Sequence, residues 1–375
     1  MTRNLIIFGT RPEAIKMAPL VKEFSKYSDQ FDTRVCVTGQ HREMLDQVLK
    51  FFEIQPEFDL DLMKPDQDLY SLTASIITSI KPILEDFVPD YVFIHGDTTT
   101  SMAVGLAAFY FGTTVCHIEA GLRTYDLHSP FPEEMNRRIN SVISQVHFAP
   151  TETAKTNLVL ENKSPSNIVV VGNTVIDALK FAVRKIKAPG YENSKINKLK
   201  KLIKKDKKMI LVTVHRRESH GSGIIRLCKT FKEILGIDPS LQIIYPVHLN
   251  PEIQKPVYDL LNQTNNIQLI SPVSYPAFVW LMEKAYLIIT DSGGIQEEAP
   301  SLGKPVLVIR DKTERPEAID SGTAILVGTQ PEMILSEVKR IITKQEVYNK
   351  MANLKNPYGD GKASKKIVNH IMSMI

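Results

Sequence analysis

The sequence predicts an α/β protein made of two doubly wound, Rossmann-like parallel sheets. Short apolar runs alternate with longer amphipathic stretches from one end of the chain to the other. Most of the short runs are unbroken and rich in Val and Ile, the composition of parallel strands covered by helices on both faces. At 375 residues the chain is also longer than one hydrophobic core usually serves.

Taken in order, the strands expected in the first half are NLIIFGT, TRVCVTG, DYVFIHGD, TTVCHIEAG, QVHFAPT and NIVVVGN. Those of the second half are KMILVTVH, LQIIYPVH, IQLISPV, YLIITDSGG, KPVLVIRD and TAILVGT. Segments of helical length lie between them, so successive βαβ units follow. A helix ending at Pro189 and Gly190 precedes a lysine-rich run, and the break between domains is expected at 172–190. This gives a first domain over 1–172 and a second over 173–360. The last segment, 361–375, reads as a helix with its own start signal that packs back on the first domain.

Composition excludes several classes. Apolar residues make up 43% and charged residues 23% of the chain, with a net charge of +4, as in an ordinary soluble globular protein. Much of the excess charge sits in the run from Lys195 to Lys208. That run has no interleaved aromatics and reads as a solvated helix face, not a nucleic-acid contact. Cys36, Cys116 and Cys228 are odd in number and far apart, so they form neither a disulfide framework nor a zinc set. With no leader-like start and no long apolar span, this cysteine usage leads to the expectation of a cytoplasmic protein that does not enter the membrane.

In an open parallel sheet, ligands bind beyond the carboxyl ends of the strands, so the residues just after each strand are the candidates. The first strand is followed by Gly9, Thr10 and Arg11, then by Pro12 opening a helix that carries Lys16. Arg11 and Lys16 suit a phosphate leaving group. The strand ending at His95 leads to Asp97, and the next leads from His117 to Glu119. Alternation puts each of these pairs on one strand face. Glu133, Glu134 and Arg137 then open a helix, with Glu133 and Arg137 on one face by their i,i+4 spacing. Any one of these acids could be a helix cap or half of an ion pair, but acids at this many strand ends are a great deal of charge to leave without a task. His95, Asp97, His117 and Glu119 are all metal-ligand types, but nothing specifies a closed geometry, and no metal is assigned. In the second half, His215 and His248 follow strands, and His215 suits proton transfer near neutral pH. Ser292, Gly293 and Gly294 would present backbone N–H groups to a diphosphate. Glu298, about a turn later, would accept ribose hydroxyls, and Arg315 adds a cation. No GxGxxG follows the first strand, which disfavours a nicotinamide cofactor, and no cofactor is assigned. Together these features read as a nucleotide or nucleotide-sugar site.

The ordered motifs FGTRPEAIKMAPL, GQHREMLDQVL, HGDTTTS, HIEAGLRT, PFPEEMNRR, GNTVIDAL, HRRES, PVHLNP, TDSGGIQEEAPSLGKPVLV, TERPEA and NPYGDG run the length of the chain. By them it resembles the non-hydrolysing UDP-N-acetylglucosamine 2-epimerases of bacteria. The resemblance implies the two-domain glycosyltransferase-B architecture with the nucleotide in a central cleft, usually in a homodimer. It implies interconversion of UDP-N-acetylglucosamine and UDP-N-acetylmannosamine, for cell-surface polysaccharides. It assigns Asp97, Glu119 and Glu133 to an acidic catalytic set, with Lys16, Arg137 and His215 also important to activity. It assigns Arg11, Phe278, Ser292, Gly293, Gly294, Glu298 and Arg315 to contacts with UDP. Several relatives bind a second UDP-N-acetylglucosamine as an activator, and the matching positions here are Gln40, His41, Glu43 and His248. Some of those relatives carry Gln in place of Glu43 and Arg in place of Asp66; two acids there would repel the activator's phosphates. A hydrolysing epimerase that releases UDP, and a glycosyltransferase on the same scaffold, are the alternative readings.

Overall fold

The computed structural model describes residues 1–39, 42–62, 67–215 and 221–375. They fall into two compact units, one of Met1–Phe181 with Tyr358–Ile375 and the other of Ala182–Pro357. In the first unit the strands are β1 (Thr2–Phe8), β2 (Phe31–Val37), β3 (Phe58–Asp59), β4 (Tyr91–His95), β5 (Thr114–Ile118), β6 (Val146–Ala149) and β7 (Ile168–Val170). They form one parallel sheet in the order β3-β2-β1-β4-β5-β6-β7. The helices after them are α1 (Arg11–Phe24), α2 (Arg42–Phe52), α3 (Leu69–Phe87), α4 (Thr99–Phe111), α5 (Glu133–Ile143), α6 (Glu152–Leu160) and α7 (Thr174–Lys187).

The second unit takes over within α7, after Phe181, and continues with α8 (Ser194–Leu202), then alternates β8 (Lys208–Thr213), α9 (Ser222–Leu235), β9 (Leu241–Pro246), α10 (Pro251–Leu261), β10 (Ile267–Ile270) and α11 (Tyr275–Lys284). It continues through β11 (Leu287–Thr290), α12 (Gly293–Glu298), β12 (Val306–Val308), α13 (Pro316–Asp320), β13 (Ala324–Leu326), α14 (Pro331–Thr343) and α15 (Gln345–Ala352). Its sheet is parallel in the order β10-β9-β8-β11-β12-β13. The two doubly wound sheets expected from the Val- and Ile-rich runs are therefore present. Each strand expected from the sequence is found, and the structure adds β3, whose two residues at a sheet edge leave no pattern. The lysine run lies largely on α8, which buries Ile196 and Leu199 and leaves most of its lysines in water.

Strand order reverses between β1 and β4 in one sheet and between β8 and β11 in the other. At such a point the helices after the two strands run to opposite faces, so the carboxyl ends are left open. The turn after β1 is closed by a capping box: Thr10 accepts from the Glu13 N–H at 3.4 Å, and Glu13 Oε2 accepts from the Thr10 N–H at 2.8 Å. The same carboxylate accepts from the Gly9 N–H at 3.1 Å and, through Oε1, from the Thr98 hydroxyl at 2.6 Å. Glu13 thus pins the β1–α1 turn to the β4–α4 turn across the reversal.

The final helix, α16 (Ala363–Met372), belongs to the first unit and packs on α1. Asp177 of α7 receives its first N–H groups, from Ala363 at 3.1 Å and Ser364 at 2.9 Å. This carboxylate meets the positive end of the α16 dipole as an added cap from a distant segment.

His95, His117 and His147 are buried at 4%, 0% and 2% exposure on β4, β5 and β6. Burial lowers their proton affinity, to pKa values of about 4, 3 and 4 against 6.5 when solvated. At these three positions the unfolded chain therefore binds more protons than the folded one below pH 6.5, and the stability they contribute is lost as pH falls from 6.5 towards 4. Burial raises Glu13 and Asp177 instead, so they titrate in the opposite sense. A difference measurement separates the two effects. His117→Gln should flatten the slope of unfolding free energy against pH in this window by up to about 1.4 kcal/mol per pH unit. Parallel denaturant titrations of parent and variant check it; identical slopes would show that His117 is not held neutral.

Candidate active site

The first unit gathers an acidic cluster at the carboxyl ends of β1, β4 and β5. Glu119, just past β5, is paired through Oε2 with Lys16 Nζ of α1, two side chains that are only 8% and 13% exposed. Asn173, between β7 and α7, donates to the same oxygen at 2.7 Å. Asp97, after β4, is held by the Arg137 guanidinium of α5 through Nη2 at 2.6 Å and Nε at 2.9 Å. The Asn136 amide holds the Asp97 carbonyl at 2.8 Å. Arg137 also donates to Glu134 at 3.1 Å, and Glu134 in turn accepts from the backbone N–H groups of Thr124 and Tyr125 at 3.0 and 3.1 Å. Both Asp97 and Glu119 therefore carry a counter-ion within hydrogen-bond reach, an arrangement that makes their partial burial tolerable. Spacing placed Glu133 beside Arg137, yet the guanidinium turns to Asp97 and Glu134. Glu133, the first residue of α5, has a buried Oε2 with no hydrogen-bond partner among the described residues.

One expectation from strand alternation fails here. β4 and β5 pair with His95 opposite Ile118 and Ile94 opposite His117, so the two histidines occupy opposite faces of the sheet. Past Ile118 the chain leaves the pleat: Glu119 has a φ of 62°, in the left-handed region. The period-two rule stops applying, and Glu119 turns to the His95 side, where His95 Nε2 lies 3.7 Å from its Oε2. His117 Nε2 instead lies 2.8 Å from the Gly96 carbonyl. With its pKa near 4, His95 is neutral at pH 7, so the cation facing Glu119 is Lys16. Arg11 starts α1, half-buried, at the carboxyl end of β1.

The second unit has a parallel arrangement at the reversal between β8 and β11. Asp291, after β11, is fully buried. Its Oδ2 accepts from the His215 backbone N–H at 2.8 Å, and its Oδ1 lies 2.9 Å from His215 Nδ1. A buried carboxylate on Nδ1 fixes an imidazole in place and leaves Nε2 for other work. The His248 ring lies 6.0 Å from that of His215.

Ser292 is the N-cap of the short helix α12, and Gly293 and Gly294 are its first two residues. The Arg315 guanidinium lies against Gly293: a Cβ added there would stand 2.8 Å from Arg315 Cζ, so no larger residue fits without moving it. Glu297, 2% exposed, fixes that guanidinium through Nε at 3.0 Å, with Glu314 on Nη1 at 2.9 Å. Glu298, one residue on, takes a different partner, the Tyr275 hydroxyl at 3.3 Å. Phe278 of α11 is half-buried.

Among the proposed activator positions, Glu43 is exposed in the first turn of α2 and His248 is exposed after β9. Gln40, His41 and Asp66 lie outside the described residues, as do all the HRRES motif residues after His215. Asn173, Asp291 and the pinning role of Glu13 carry no assignment from the sequence alone. Asn173 sits in the GNTVIDAL motif and Asp291 opens DSGG, so the motifs marked both places. Only their contacts reveal what the side chains do.

The family model described as UDP-N-acetylglucosamine 2-epimerase matches residues 23–372 of this chain. A Yersinia pestis protein of that name is 53% identical over 364 residues, which is 97% of this chain and 96% of the relative. A Neisseria meningitidis protein of the same name is 52% identical over 98% of each chain. The crystal structure of UDP-GlcNAc 2-epimerase from Neisseria meningitidis bound to UDP-GlcNAc matches with a TM-score of 0.91 at 51% identity, covering 99% of this chain and 100% of that one. The Methanocaldococcus jannaschii UDP-GlcNAc 2-epimerase in complex with UDP-GlcNAc and UDP matches with a TM-score of 0.80 at 32% identity, over 100% of both chains. The full-length likeness in sequence and fold, on top of the motifs that build both clusters, means that the chain belongs to the UDP-N-acetylglucosamine 2-epimerase family.

Proposed function

We propose that the chain epimerises C2 of UDP-N-acetylglucosamine, giving UDP-N-acetylmannosamine without net hydrolysis. The C2 hydrogen is not next to a carbonyl, so its direct removal is very unfavourable. Breaking the C1–O bond first changes this. As UDP leaves with the bonding pair, C1 gains oxocarbenium character and C2–H becomes acidic. Loss of that proton to an enzyme base forms the C1–C2 double bond of 2-acetamidoglucal. UDP then adds back at C1 while a proton is delivered to C2 from the opposite face, and the enzyme's proton count is restored.

The observation that carries this reading is the acidic cluster of the first unit. Asp97 and Glu119 stand against Arg137 and Lys16, and Glu133 has a buried oxygen without a hydrogen-bond partner among the described residues. Proton exchange on two faces of a ring needs two acid–base groups, and each such group is worth on the order of 10²–10⁴-fold in rate. In this reading the pair comes from Asp97, Glu119, Glu133 and His215, with Lys16 and Arg137 as counter-ions. Arg11, Arg315 and the backbone N–H groups at Ser292–Gly294 stabilise the departing diphosphate. Glu298 takes the ribose hydroxyls and Phe278 packs against the nucleotide. That the Neisseria meningitidis and Methanocaldococcus jannaschii structures hold UDP-GlcNAc supports the choice of nucleotide sugar.

Incubation with UDP-N-acetylglucosamine in D₂O, followed by NMR, tests the reaction. Product and recovered substrate should carry deuterium at C2, and free UDP should not build up. A retained C2 hydrogen would rule out proton exchange, and accumulating UDP with free N-acetylmannosamine would mark hydrolysis instead. Asp97→Asn should lower turnover by about 100-fold or more while calorimetric UDP affinity holds; parental turnover would remove Asp97 from the reaction.

A further inference from the structure

We infer that Asn173 is a positioning residue for Glu119, holding the carboxylate by a bond anchored where the chain leaves and re-enters the first unit. The inference rests on the proposed role of Glu119. Asn173 is 3% exposed and engages each of its polar groups. Its backbone N–H donates to the Tyr358 carbonyl at 2.7 Å. Its Oδ1 accepts from the Val175 N–H at 3.0 Å, at the start of α7. Its Nδ2 donates to Glu119 Oε2 at 2.7 Å. Because Oδ1 faces an N–H donor, the amide has one satisfactory orientation, and the NH₂ group must point at Glu119.

Glu119 has reason to need such a hold. A non-glycine residue with a positive φ costs roughly 1–3 kcal/mol and persists where its surroundings over-determine it. Lys16 supplies charge at Oε2, but a lysine stem is flexible and its ammonium sets little direction. A rigid amide on the same oxygen supplies the direction. The anchor itself is fixed by its neighbours. The chain passes out of the first unit after Phe181 and returns at Tyr358, and Asn173 binds the backbone of that return segment. Gly172, at a φ of 96°, lets the two segments close: a Cβ there would stand 3.2 Å from the Tyr358 carbonyl oxygen.

Steady-state kinetics of Asn173→Asp and Asn173→Ser test the assignment. Both side chains can still accept from the Val175 N–H, so α7 keeps its cap, and melting curves verify the fold. Loss of a hydrogen bond to a charged group should lower kcat by about 10- to 100-fold for Asn173→Ser, with KM nearly unchanged. Asn173→Asp should lose more, since it sets a second carboxylate against Glu119. Combining either variant with Glu119→Gln should give an enzyme no slower than Glu119→Gln alone. Parental kcat in Asn173→Asp, or losses that multiply in the double variant, would reduce Asn173 to a helix cap and overturn the inference. Parental turnover in Glu119→Gln itself would overturn the role of Glu119 and this inference with it.

Discussion

The parallel pairing of β1 with β4, and of β8 with β11, is the constraint on which the candidate site depends. It turns the winding of each sheet over at one place, and there the loops after neighbouring strands diverge and leave room for a ligand. Both units close this weak point in the same way, with a buried carboxylate that bridges the two strand ends. In the first unit Glu13 joins the Gly9–Thr10 turn to Thr98. In the second, Asp291 joins the end of β11 to His215 after β8. The buried Gly9 N–H would otherwise lack an acceptor, which is costly, and the part-buried N–H groups of Thr10 and His215 gain one as well. The bridging acids thus belong to the fold as much as to the chemistry.

Charge around the two clusters is locally balanced. Lys16 answers Glu119, Arg137 answers Asp97 and Glu134, and Arg315 answers Glu297 and Glu314. This settles the place of two consecutive acids beside a turn suited to anions. Glu297 holds a guanidinium over Gly293, and Glu298 leans on Tyr275 instead. A cation so held loses some of its net charge but keeps its geometry, and for a planar guanidinium geometry counts most. Histidines on the sheet work differently: burial keeps them neutral, so they pack without adding charge beside the acids.

The strands were legible in the sequence because a strand buried on both faces has to be apolar at nearly every position, as in NLIIF and YLIIT. The acids at the strand ends were legible because topology places ligands there. Their partners were not. Arg137 shares a helix face with Glu133 by spacing, but it bonds Asp97, forty residues earlier, because the β5–α5 loop brings α5 over the end of β4. Glu119 escapes strand periodicity by one positive dihedral, and no local pattern signals that in a glutamate.

By itself the sequence determined the alternation of strand and helix, the doubly wound class, the residues at each strand end and the family. Those follow from local composition and from order along the chain. Tertiary structure alone decided which acid meets which cation and which face Glu119 turns to. It also decided that Asn173 reaches both Glu119 and Tyr358. Hydrogen bonds and ion pairs are set by distances between segments far apart in the chain, and a one-dimensional pattern carries no record of those distances until the sheet has brought the segments together.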